Sequence, residues 1–102
     1  MPIGDFVNLI PAPVFLLIHF AAFAIGSYFA WRSFNAEAAL LGWGFSLFAL
    51  AEISYMTYHL DWTIFLFAHL ISEVFDLLAF VLIFTAVTRG VTANLRGAES
   101  RA

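Results

Sequence analysis

The chain contains no cysteine and no lysine, and only 11% of its 102 residues are charged. Without cysteine there is no disulfide framework, no thiolate metal site, no c-type haem attachment and no cysteine nucleophile. The four basic residues are all arginine and the formal net charge is −3, which excludes a strongly basic nucleic-acid binder. Soluble domains carry about 25% charged and roughly 45–50% apolar residues. Here the hydrophobic share is 64%, so a soluble globular domain is excluded. Disorder is excluded as well, because disordered chains are polar and charge-rich. The remaining class is an all-α integral membrane protein.

A helical span needs about 20 mostly apolar residues. Three segments qualify, at 14–34, 38–58 and 62–87, and the polar breaks at 35–37 and 59–61 are too short to hold a domain. They predict a single three-span membrane domain, a three-helix transmembrane bundle, followed by a polar tail over 89–102 that reads as a stop-transfer signal with a frayed end. Residues 1–13 carry no Lys or Arg, so the first span does not read as a cleaved signal peptide. Pro11 and Pro13 fall at the helix start, where proline is tolerated.

Arginine sets the expected orientation. Arg32 borders the first turn, and Arg89, Arg96 and Arg101 follow the third span, while the N-terminus and second turn have no basic residue. The positive-inside rule then gives N-terminus out and C-terminus in, in a bacterial or archaeal inner membrane. Tyr28 and Trp31 at one boundary and Tyr55, Tyr58 and Trp62 at the other fit interfacial aromatic belts.

Polar groups inside the spans carry the functional signal. A charged acid at the bilayer centre costs roughly 2.5–3.5 kcal/mol, so Glu52, Glu73 and Asp76 are expected to face protein or water. At about 1.5 Å per residue, His19, Glu52, Glu73 and Asp76 lie roughly 20–24 Å from the inner boundary, and His69 lies about 12 Å below the outer turn. All five occupy one slab, capped by His59. Helical spacing places His19 on one stripe with Ala22, Gly26 and Ala30, a small-xxx-small series suited to close packing. The matching stripes are Gly42, Phe45, Ala49, Glu52, Met56 and His59 on the second helix, and His69, Ser72, Glu73, Asp76 and Ala79 on the third. Turning all three stripes inward, or toward a neighbouring copy, is the simplest assembly.

Several functions fit this slab. A transition-metal site from His19, Glu52, His69 and Glu73 leads, because His69 and Glu73 at i, i+4 reach one point and nitrogen with carboxylate oxygen suits Zn, Fe or Cu. The paired Glu-x-x-His motif of di-iron bundles is missing. A proton or cation path through Glu52, Glu73, Asp76, His59 and His69 is the alternative, with Asp76, His59 and Tyr55 as relay groups or as supports to the metal ligands. Haem or chlorophyll ligation by His19 or His69 is a third, given the 13 Phe of the chain. The structural reading is hydrogen-bonded glue between helices. No nucleophile or extramembrane domain points to an enzyme. The expected partners are the lipid bilayer and a homo-oligomer or other membrane subunits; in the proton-path or structural alternative, the chain serves as an accessory subunit of a bioenergetic complex.

In size, three spans, outward N-terminus and an acid in each of spans two and three, here Glu52 and Glu73, the chain resembles the small three-span subunit of respiratory complex I. The resemblance is one of topology. In that family the acid of span two lies close to the inner loop, whereas Glu52 stands fifteen residues past Glu37, and no role is carried over.

Overall fold

The structure is a computed structural model that describes residues 3–101, with side chains through residue 98. A 3-10 turn, Asp5–Leu9, leads into three α-helices: α1 (Ala12–Asn35), α2 (Ala39–His59) and α3 (Phe65–Arg101). All three are long and apolar enough to cross a membrane. The chain is thus an all-helical protein with the makeup of an integral membrane protein.

Pro11 caps α1 with extended backbone, so its missing N–H and that of Pro13 fall where no intrahelical partner exists. Both inter-helix turns use one device. After α1, the Glu37 N–H bonds to the Phe34 carbonyl and the Ala38 N–H to the Ser33 carbonyl; after α2, Asp61 bonds back to Tyr58 and Trp62 to Thr57. These are Schellman closures, which need a left-handed residue just past the cap. Glu37 (φ 61°) and Asp61 (φ 63°) fill that position, usually held by glycine.

α2 is the middle helix. It packs against α1 on one side and α3 on the other, and among the described residues the backbones of α1 and α3 do not approach closely. Within one chain the three stripes do not all turn inward: the helices form a layer, because α2 carries two packing faces. Toward α1 it presents Gly42 and Ala49, and toward α3 Gly44 and Ala51. A Cβ at Gly26 would come 2.7 Å from the Phe48 ring, one at Gly42 2.6 Å from Phe34, and one at Gly44 2.6 Å from Ile83. Ala51, Ala68, Ala79 and Ser72 are buried, and the Ser72 hydroxyl donates to the Ala51 carbonyl at 2.9 Å. Small residues allow this close approach, the main source of attraction where lipid supplies no hydrophobic drive between helices. Of the expected α1 stripe, Gly26 and Ala30 are buried and Ala22 half-buried.

The tail also differs from expectation. Residues 88–101 continue α3 as helix rather than fraying. At about 1.5 Å per residue α3 is roughly 55 Å long, well beyond a hydrocarbon core of about 30 Å, so its Arg-bearing end projects past the α1–α2 turn.

Candidate functional site

On α1 the positions His19 and Gly26, on α2 Phe45, Phe48, Glu52, Tyr55 and His59, and on α3 His69, Glu73, Asp76, Phe80 and Ile83 each follow three-and-four spacing, so each set lies on one helix face. Together the faces line a trough over α2. Near the α2–α3 turn it is polar. Toward the α1–α2 turn it becomes an apolar groove of about 310 Å³, floored by Phe45 and Phe48 and walled by Gly26, Phe29, Phe80 and Ile83.

The polar half has two hydrogen-bonded groups. His19 Nδ1 and Glu52 Oε2 lie 2.5 Å apart, with the two side chains 20% and 13% exposed. This contact is a hydrogen bond with a neutral ring and an ion pair with a protonated one. On the other side of α2, the Tyr55 hydroxyl lies 3.2 Å from His69 Nδ1 and 3.3 Å from Glu73 Oε1. A phenol has one proton to give. If Tyr55 donates it to Glu73, its oxygen is left to accept from a His69 Nδ1–H, giving a directed chain His69 to Tyr55 to Glu73.

Ring stacking joins the two groups. His19 lies between Tyr55 (5.1 Å between centroids) and His59 (5.3 Å). His59 is stacked on Phe15 at 5.0 Å, and His69 on Phe65 at 5.2 Å. Tyr58 closes a circuit by edge contacts to His59 and Phe65. All three histidines thus belong to one aromatic ring system spanning three helices, two of which, α1 and α3, have no close backbone approach among the described residues. Asp76 lies one turn beyond Glu73, with Glu52 and Glu73 as its charged neighbours. Its Oδ1 is buried and has no hydrogen-bond partner among the described residues.

The four residues expected to share a metal ion fall into two pairs on either side of Tyr55. Among the described residues, no three of His, Asp or Glu converge closely enough to hold an ion. Tyr55, expected in a supporting role, is the central link. His69 and Glu73, expected to turn inward or toward a neighbouring copy, sit exposed at the edge of α3, while Ala68 and Ser72 are buried. Phe15 and Phe65 were not foreseen. The signal was available: each stands four residues before a histidine, one turn away on the same face.

The fold and site together define a class, a three-helix membrane protein with a titratable ring cluster in one half of its thickness. Comparison with protein-family models, curated proteins and solved structures finds no significant match, so the geometry alone carries the functional argument.

Proposed function

We propose that this protein is a small integral membrane subunit that takes up protons near the α2–α3 turn and passes them between His59, His19, Glu52, Tyr55, His69, Glu73 and Asp76. The observation behind this reading is the Tyr55 hydroxyl, held between a histidine and a carboxylate while its ring stacks on a second, carboxylate-bound histidine. Histidines and acids in series are the usual components of intramembrane proton relays. Transfer from the His19–Glu52 pair to Tyr55 needs a bridging water or a turn of the phenol, since a stack carries no proton.

The relay is half a path. Residues 77–87 of α3 are apolar apart from Thr85, so a second copy or another membrane subunit supplies the remainder. The arginine distribution supports a relay opening to the outside of a bacterial or archaeal inner membrane, with the C-terminal end of α3 inside.

Nitrogen NMR of labelled histidines in bilayers tests coupling without the missing subunit. In a relay, His19→Asn shifts the titration of His69, and Tyr55→Phe abolishes that cross-effect. A His69 titration indifferent to both variants overturns the proposal.

A metal site is the second reading. Its support is that His69 and Glu73 already approach one point, the Tyr55 oxygen. It requires His19 and Glu52 to swing past Tyr55. Elemental analysis of purified protein decides: near-stoichiometric Zn, Fe or Cu lost in His69→Ala favours it, and sub-stoichiometric metal in both proteins removes it.

A further inference from the structure

The α1–α2 turn is flanked by two grooves that the relay does not use. The first, about 380 Å³, is formed by Tyr28, Phe29, Ala36, Ala38 and Leu41, with Arg32 at its edge. The second, about 470 Å³, is formed by Ala38, Leu40, Leu41 and Ala86, with Arg89 and Glu37 at its edge. Ala38 and Leu41 belong to both, so the grooves adjoin. Each therefore combines an apolar wall with one exposed guanidinium.

Neither arginine is neutralised by a carboxylate among the described residues. Arg32 Nη1 donates to the Tyr28 hydroxyl at 3.3 Å and lies over its ring, leaving its remaining N–H groups open. Among the described residues Arg89 makes no side-chain hydrogen bond and no ion pair with Glu37, although both border one groove. Guanidinium presents a planar fork that matches phosphate oxygens. Lipid acyl chains fill apolar grooves between helices, and basic pockets at this level of a membrane protein bind anionic headgroups.

From this complementarity we infer that the turn holds an anionic phospholipid, its phosphate between Arg32 and Arg89 and its acyl chains along the two grooves. Glu37 opposes the phosphate and limits the affinity. The site is independent of the relay, at the opposite end of the helices.

Native mass spectrometry of the full chain, released from micelles with equal phosphatidylglycerol and phosphatidylcholine, tests this. Wild type is expected to retain phosphatidylglycerol over phosphatidylcholine by roughly tenfold or more, given about 1 kcal/mol per arginine at a membrane surface. Arg32→Gln/Arg89→Gln removes the preference, and Arg32→Lys/Arg89→Lys keeps most of it. Leu41→Trp, which narrows both grooves without changing charge, lowers retention, and Glu37→Gln raises it. Circular dichroism checks that helix content is unchanged throughout. Three results each overturn the inference: equal retention of both lipids by wild type, an Arg96→Gln loss as large as that of the double variant, or displacement of the lipid by inorganic phosphate, which would mark a headgroup-only anion site.

Discussion

Near the α2–α3 turn the trough is lined by His19, Glu52, Tyr55, His69 and Glu73; farther along, the same helix faces carry Gly26, Phe45, Phe48, Phe80 and Ile83. The two halves obey different rules. In the apolar half, attraction depends on how closely backbones approach, and glycine sets that distance. In the polar half, polar groups are tolerated because His19, Glu52, Tyr55, His69 and Glu73 each have a hydrogen-bond partner; among the described residues, Asp76 Oδ1 is the buried side-chain oxygen left without one. The boundary falls between Phe48 and Glu52, one helical turn apart on α2. The comparison shows that a single helix face changes from lipid-like packing to polar chemistry within a turn, with no change in backbone.

The strongest way to break this contrast is to move the boundary. Phe48→Asp carries the acid one turn into the apolar half, where no histidine faces it, and should cost about 3 kcal/mol, in line with an acid near the centre of a span. Denaturant unfolding in mixed micelles measures it. A loss under about 1 kcal/mol would mean that the apolar half admits water and that the contrast is false.

Packing comes next. Gly44→Val places a Cβ 2.6 Å from the Ile83 side chain and 3.2 Å from the Ala79 carbonyl oxygen. Ile83 can rotate but the carbonyl cannot leave its helix, so α2 and α3 must separate. Overpacking of this kind costs about 1–3 kcal/mol. The same unfolding assay should give a smaller loss for Gly26→Ala, where the obstructing atoms belong to the Phe48 ring.

The polar half predicts coupling instead of steric cost. A double-mutant cycle on His19→Asn and Glu52→Gln should yield about 0.6 kcal/mol, and at most roughly 1.7, the range of polar pairs between membrane helices. Additive losses would mean that the 2.5 Å contact contributes nothing to stability.

The smallest effect lies at the turns. A left-handed residue with a side chain costs about 1–2 kcal/mol, and glycine returns part of that gain as lost chain entropy. Glu37→Gly should therefore stabilise by about 0.5 kcal/mol, seen as a rise in the unfolding midpoint. Asp61→Gly should change little, because Asp tolerates the left-handed region better than Glu.

Much of the fold was legible because membrane solvent imposes simple demands. Every backbone group must be satisfied within its own segment, so long apolar runs become helices. The runs at 14–34 and 38–58 agree with α1 and α2 to within two residues at each end. Helix α3 agrees less well, since residues 88–101 are polar and hydropathy is silent on whether a helix continues into water. The site was half legible. Periodicity put His19 with Glu52 and His69 with Glu73 at comparable depth, but could not tell which neighbour each would choose. Tyr55 looked secondary because a phenol carries no charge in a count of charges.

The sequence by itself determined the class, the three spans, the polar slab and the small-residue stripe of α1, because composition and a period of 3.6 residues are properties of the chain. Only the tertiary structure decided that α2 stands between α1 and α3, that small residues on two of its faces make a layer, and that Tyr55 links two polar pairs that would otherwise be separate. The reason is physical: which helix faces meet depends on how closely backbones can approach at Gly26, Gly42 and Gly44, and that distance is set by the facing side chains of another helix.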